Sequence, residues 1–205
     1  MPLAALPLTA MPLAVMKGVV VAALAVAPAE APEEPRVVPP LVHAGALMTT
    51  MRTVEWFLWP TPFAESDRFV ERWGDSFTHA PKFDASRRPF EWDGDRWWIN
   101  AVGHTLFGSE LYLRARACHF GWGGALAWTA GTSAVWEYAF EGNGVRPSAL
   151  DLVWTPLAGL LLGEARYALF RAASARSSVW ATVARIGLDP LGGLDHAVTG
   201  RACGW

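Results

Sequence analysis

Three segments decide the fold of this chain: WWINAVGHTLFGSELY (residues 97–112), GTSAVWEYAFEGN (residues 131–143) and RPSALDLVWTPLAGLLLGE (residues 146–164). Each is apolar and contains glycine, and each also holds polar side chains that a buried helix rarely contains unless they pair or act. The most notable are His104 in the first segment, Glu137 in the second and Asp151 in the third. The pattern predicts packed helices that bring these three side chains together.

Helical spacing and capping signals indicate where these helices begin and end. Trp98, Val102 and Leu106 recur every four residues, which is typical of a helix. Ser148, followed three residues later by an acid, resembles an N-terminal capping box. Pro156 is expected to kink the helix that contains it. The predicted helices cover residues 97–118, 121–140, 148–173 and 176–186.

The same helices contain an unusual number of glycines. Glycine is unfavourable inside a helix and is tolerated where two backbones must approach closely. Gly159 and Gly163 are spaced by four residues, as in a contact between small residues of two helices. We expect the glycines to serve such contacts; they are Gly103, Gly108, Gly123, Gly124, Gly131, Gly159 and Gly163.

The chain before residue 97 contains few regular signals. Frequent prolines and aromatic residues predict an irregular segment that wraps the helices, with one short amphipathic helix in ESDRFVERWGDSF (residues 65–77). We therefore predict an all-α fold, a compact bundle of three to four helices with an irregular, aromatic-rich N-terminal wrap. The predicted parts are a signal peptide (1–31), a disordered linker (32–40), the wrap (41–96), the helical domain (97–195) and a tail (196–205).

The N-terminal residues have the composition of an export signal. Lys17 precedes the apolar run GVVVAALAVAPAEA (residues 18–31), which ends in a small-x-small sequence. This pattern predicts an exported protein of the periplasm or the membrane surface. Integral membrane insertion is the alternative, but the uncharged part of the second helix is shorter than the roughly 20 residues that a bilayer span needs.

Composition limits the partners. Lys and Arg number 17 against 19 Asp and Glu, so the net charge of −2 offers no basis for binding nucleic acid. Twelve tryptophans are a large excess, and indole favours membrane interfaces as well as protein cores. A membrane lipid or an envelope protein is the expected partner. Cys118 and Cys203 would form a disulfide in an oxidising compartment, and their spacing leaves the pairing open.

The order of these residues resembles a bacterial protein family, DUF3943, over roughly residues 95–195. The shared pattern is N-x-x-x-H, then G-x-x-x-Y-x-x-A-R, S-x-x-W-E-Y and P-S-x-x-D-L-x-x-T-P-L-x-G-x-x-x-G-E. A looser similarity extends to VanZ-like and YfiM-like envelope proteins. The resemblance implies an exported or envelope-associated protein and assigns no reaction. The pattern is carried by Asn100, His104, Gly108, Tyr112, Ala115, Arg116, Ser133, Trp136, Glu137, Tyr138, Glu141, Pro147, Ser148, Asp151, Leu152, Thr155, Pro156, Gly159, Gly163 and Glu164.

Two interpretations of the polar residues remain open. As a catalytic site, His104 would act as a general base oriented by Glu137 or Asp151. As a structural network, the same groups would satisfy one another between the helices. The residues expected to bind substrate or support the site in either case are Asn100, Tyr112, Arg116, Tyr138, Ser148 and Thr155.

A metal site is not predicted from the sequence, because no second histidine lies three or four residues from His104. No other cofactor is implied. We therefore expect an exported, envelope-associated helical protein whose polar cluster is mainly structural or partner-binding. The alternative is a membrane-peripheral hydrolase or transferase that acts on a lipid or a cell-wall precursor.

Overall fold

The computed structural model describes residues 34–192 and Cys203. The predicted signal peptide lies outside these residues. Within them the fold is all-α, which confirms the predicted class. The helices are α1 (Val38–Leu58), α2 (Phe69–Thr78), α3 (His104–Ala117), α4 (Trp122–Val135), α5 (Ala149–Ser174) and α6 (Val179–Leu188). Shorter turns lie at Pro60–Phe63 and Ser66–Arg68, and wider π-helical turns lie at Ile99–Gly103 and Trp136–Phe140.

Helices α3, α4 and α5 form the centre of the molecule, and α3 packs most extensively against α5. The two helices run parallel, because His104 contacts Thr155 and, two turns further along both helices, Tyr112 contacts Gly163. All four helices predicted from the sequence are present, with boundaries shifted by a few residues. Helix α5 continues through Pro156.

Close approach of α3 and α5 depends on two glycines. A Cβ atom on Gly159 would lie 2.6 Å from the backbone carbon of Gly108, and one on Gly108 would overlap the backbone of Thr155. The small size of glycine thus lets two backbones touch. A Cβ atom added to Gly103, Gly123 or Gly131 would meet no atom of another segment within 4 Å. The expectation that these three glycines also serve helix contacts is therefore wrong.

The prediction of an irregular segment over residues 41–96 is wrong for its first part, because α1 occupies it. Pro39 and Pro40 suggested a linker in the sequence, but they lie in the first turn of α1, where a missing N–H costs nothing. The helix buries Ala44 and Met48 against α3 and Trp136. The segment after α2 does lack regular helix up to residue 96, and the short helix predicted within residues 65–77 is present as α2.

The aromatic and apolar residues that predicted α3 do not form its buried face. Trp98, Val102 and Leu106 are 44%, 48% and 55% exposed. The buried face instead contains Phe107 and Leu111, which pack against α1 and Trp136. None of the helices in residues 34–192 combines the length and the apolar character that crossing a bilayer would require.

The two cysteines whose pairing the sequence left open form a disulfide. Cys118 follows α3, and Cys203 lies buried against it. The backbone N–H of Arg36 also donates to the carbonyl of Cys118 at 3.0 Å. The end of α3 is therefore the point at which both ends of the described chain are attached.

The backbone contact between α3 and α5 can be tested with Gly159→Ala. The added methyl group meets a backbone that cannot rotate away, so we expect a loss of about 1–3 kcal/mol in the free energy of unfolding, measured by urea denaturation. Gly131→Ala in α4 is the matched control, since it meets no neighbour and should stabilise the protein by up to about 1 kcal/mol. Equal responses from the two variants would contradict the contact.

Candidate functional site

The three side chains singled out in the sequence do meet. His104 from α3, Glu137 from the π-helical turn after α4 and Asp151 from the first turn of α5 each offer a ligand atom, and these atoms lie within 4.8 Å of one another. Their residues are 8%, 2% and 2% exposed. The cluster is therefore enclosed where the three helices converge.

Asp151 and Thr155 reach His104 because they lie one turn apart on the same face of α5. The Nδ1 atom of His104 lies 3.0 Å from the hydroxyl of Thr155. Its Nε2 atom lies 3.6 Å from Oδ2 of Asp151, which is close but longer than a hydrogen bond. The ring is thus held at one nitrogen, while the other faces a carboxyl group.

Ser148 connects the beginning of α5 to the rest of the cluster. Its hydroxyl caps the helix by accepting from the backbone N–H of Asp151 at 3.1 Å, as the sequence predicted. Its backbone N–H donates to Oε2 of Glu137 at 2.8 Å. Its hydroxyl also donates to Oδ2 of Asp93 at 2.6 Å. One serine therefore joins two helices and a loop.

Asp93 is the member of the site that the sequence analysis missed. Its carboxylate accepts from the side-chain amide of Asn100, from the hydroxyl of Ser148 and from the backbone N–H of Asp95. Burial opposes ionisation of Asp93, but these hydrogen bonds outweigh burial and lower its pKa. Glu91 and Asp95 flank it in the sequence, so it resembles one more acid of a solvated loop.

Burial dominates the protonation of the three central groups. It lowers the pKa of His104 to about 4 and raises the pKa of Glu137 to about 8. Burial, with the charges of Glu137 and Asp93, raises the pKa of Asp151 to about 9. Near neutral pH the imidazole is neutral, and the two acids hold protons unless a cation takes their place.

Tyr112, Arg116 and Tyr138 lie outside this cluster. The hydroxyl of Tyr112 donates to Oε2 of Glu164 at 2.7 Å, and Arg116 donates to both oxygens of the same carboxylate. Tyr112 follows His104 by two helical turns, about 12 Å along the axis. Tyr138 packs its ring against Phe77. Asn100, Ser148 and Thr155 are the predicted supporting residues that the fold brings to the cluster.

A second buried ionic group lies further along α3. Glu110 accepts from Arg114 and Arg166, and its carboxylate lies 3.3 Å from Nε2 of His43. Burial opposes ionisation, but these partners outweigh it and lower the pKa of Glu110 to about 2. Arg114 also pairs with Asp189 after α6. Two arginines here face two carboxylates, so the group is a structural link from α1 through α3 to α5 and α6.

The described surface pockets do not include the central cluster. One, of about 320 Å³, is lined by Arg72, Asp75, His79, Lys82 and Arg146, and another by residues of α1 with Phe140. The polar cluster is enclosed, as the low exposure of its residues shows, and its polar atoms are not all paired. Oδ1 of Asp151, Oε1 of Glu137 and Oδ1 of Asn100 are buried without a hydrogen-bond partner among the described residues.

The contribution of Ser148 can be measured with Ser148→Ala. The change removes the helix cap and takes from the buried carboxylate of Asp93 its shortest hydrogen bond, that from the Ser148 hydroxyl, so we expect a loss of about 2–4 kcal/mol in unfolding free energy. Ser178→Ala is the matched control, because Ser178 caps α6 in the same way, through the N–H of Ala181, at an exposed position. The control should lose about 1 kcal/mol. A loss for Ser148→Ala no larger than that of the control would contradict the role of the Asp93 contact.

Comparison with known proteins gives one match. Residues 89–191 match the model of a family described as Domain of unknown function (DUF3943). The match begins before residue 97, the predicted start of the helical domain, and so includes the loop that holds Asp93. No curated protein and no solved structure matches the chain.

Proposed function

The chain belongs to the DUF3943 family, and on that premise we propose that it is an exported helical protein that attaches peripherally to a membrane. In this proposal a lipid surface is contacted by one apolar face of the α3–α5 pair. The buried polar cluster has a structural role, in which it holds α3, α4 and α5 together. The observation that carries the proposal is the apolar face.

The first half of this face belongs to α3 and the turn before it. Trp98, Val102 and Leu106 lie four residues apart and are each about half exposed. Residues at this spacing lie along one side of a helix. Trp97, 55% exposed, extends the apolar surface at its beginning.

The second half belongs to α5. Val153, Leu157 and Leu161 also lie four residues apart and are 59%, 49% and 74% exposed. The indole N–H of Trp154 donates to the hydroxyl of Thr105 at 3.0 Å, which fixes this side of α5 beside the same side of α3. The row of α5 is turned away from the Gly159 contact with α3, and the Trp154–Thr105 pair links it to the row of α3.

The composition of the surface favours lipid as its partner. Thr105 and Trp154, which link the two rows, carry no charge. Soluble monomers rarely expose contiguous apolar patches of this kind unless they bind a partner or a membrane. Tryptophan at the edge of such a patch suits the boundary between headgroups and acyl chains.

Two observations support export. Residues 1–31 have the pattern of a signal peptide, with Lys17 before the apolar run. Cys118 and Cys203 form a disulfide, which is stable in an oxidising compartment outside the cytoplasm. The two observations come from different parts of the chain and are independent.

The enclosure of the cluster favours a structural role over the catalytic alternative. A hydrolase or transferase would need substrate to reach His104, which is 8% exposed and is held at Nδ1 by Thr155. The hydroxyl of Ser148 is engaged as a helix cap and as a donor to Asp93. The contacts of His104 with Thr155 and of Ser148 with Glu137 each join two of the helical segments.

Lipid attachment is tested by co-sedimentation of the purified protein with phosphatidylcholine vesicles, with and without phosphatidylglycerol. Removing two large apolar contacts with Leu106→Gln and Leu157→Gln together should weaken binding at least tenfold. The matched control is Phe57→Gln with Val70→Gln, since these residues are 76% and 81% exposed but lie on α1 and α2. If both double variants lose vesicle binding, or if neither does, the result would contradict a role for this face. If the parent protein does not bind the vesicles, an envelope protein would be the partner to test.

Export is tested by fusing alkaline phosphatase, an enzyme that becomes active only after export, to the C-terminus. The full chain should give active fusion protein, and deletion of residues 1–31 should abolish the activity at equal expression. The deletion removes the whole predicted signal, with Lys17 and the apolar run that follows it. Equal activity with and without residues 1–31 would show that the prediction of a signal peptide is wrong.

A further inference from the structure

The enclosed cluster contains more acceptor atoms than donors. Oε1 of Glu137 and Oδ1 of Asp151 have no hydrogen-bond partner among the described residues. Water cannot readily replace the missing partners, because each of the two residues is only 2% exposed. A buried carboxyl oxygen with no partner is costly. A group that accepts electron pairs from these oxygens would remove that cost.

The three ligand atoms lie near one another and would draw closer around such a group. They come from His104, Glu137 and Asp151 and lie within 4.8 Å of one another, with Nε2 of His104 3.6 Å from Oδ2 of Asp151. Donor atoms around a tetrahedral ion bound at about 2.1 Å lie about 3.4 Å apart. We propose that His104, Glu137 and Asp151 bind a divalent transition-metal ion.

The surrounding hydrogen bonds already orient the ligands. Thr155 lies 3.0 Å from Nδ1 of His104, so that an Nδ1–H donated to it leaves the lone pair of Nε2 directed toward the acids. The N–H of Ser148 holds Oε2 of Glu137 and leaves Oε1 free. Asp93 accepts from the Ser148 hydroxyl and so fixes the position of Ser148 beside Glu137. Partners of this kind are typical of the second layer around a protein metal site.

The donor set selects the class of metal. One imidazole nitrogen with carboxylate oxygens suits Zn²⁺, Mn²⁺ or Fe²⁺, whereas Mg²⁺ and Ca²⁺ prefer oxygen alone. Residue spacing does not indicate this site, because each ligand lies on a different helix and no local His motif exists. Two of the ligands adjoin π-helical turns. The turn Ile99–Gly103 directly precedes His104, and the turn Trp136–Phe140 contains Glu137. Turns of this type are frequent at functional sites.

This inference deepens the structural role proposed for the cluster, and it rests on that role and not on membrane attachment. A metal held by α3, by the turn after α4 and by α5 would join three helices at one atom. Because bound metal stabilises only the folded state, its removal should loosen all three.

The experiment uses the purified full-length protein, freed of metal with a chelator and then titrated with Zn²⁺ alone. We expect about one Zn²⁺ per chain by equilibrium dialysis and elemental analysis, and a melting temperature raised by roughly 5 °C or more at a large excess of Zn²⁺ over Kd. Glu137→Gln and Asp151→Asn should each weaken Zn²⁺ binding at least tenfold. Both keep the size of the side chain, and the Gln oxygen can still accept from Ser148.

The control variant is His79→Gln, which removes an exposed histidine and should bind Zn²⁺ as the parent does. A second readout separates a metal site from a network of hydrogen bonds. In chelator, Glu137→Gln should melt no lower than the parent, since it keeps the acceptor for Ser148 and replaces the unpaired Oε1 of a buried carboxyl group, whereas in Zn²⁺ it should melt lower.

Three results would overturn the inference. They are a parent protein that binds no Zn²⁺, variants that bind it as the parent does, and a parent that melts at the same temperature with and without it. If the variants lower the melting temperature equally in chelator and in Zn²⁺, the cluster is structural without a metal. In that case the role proposed for the cluster stands and the metal inference fails.

Discussion

The hydrogen bond from the Ser148 hydroxyl to Asp93 is the contact on which the polar centre depends. It is 2.6 Å long and joins the loop before α3 to the residue that caps α5. Because Ser148 is fixed there, its backbone N–H points at Glu137 and its oxygen caps the helix at Asp151. A short side chain thereby positions two acids from two different helices.

The close packing of α3 and α5 is the second condition for this centre. Helices separated by large side chains lie about 8–10 Å apart, a distance that Asp and Thr do not bridge easily. Gly108 and Gly159 remove those side chains and bring the backbones into contact. Asp151 and Thr155 then reach His104.

Much of this structure could be predicted from residue patterns, and the failures have physical causes. Periodicity and capping identified the helices from residue 97 onward, and the order of His104, Glu137 and Asp151 indicated that they meet. Helix α1 was missed because prolines in a first turn look like a linker. Asp93 was missed because only the fold separates it from neighbouring acids. The row Trp98, Val102 and Leu106 indicated a helix but not which face is buried, since spacing alone does not show this.

The disulfide divides the chain into a covalent ring and an arm. The ring runs from Cys118 to Cys203, a separation of 85 residues, and contains α4, α5 and α6. In a chain-entropy description, closing a loop of this size disfavours the unfolded state by about 4–5 kcal/mol. Glu137 and Asp151 belong to the ring, whereas Asp93 and His104 belong to the arm. A reducing environment would therefore open the ring. Beyond the continuous backbone at Cys118, the arm would then be joined to the rest of the chain by non-covalent contacts, and those of the polar centre are among them.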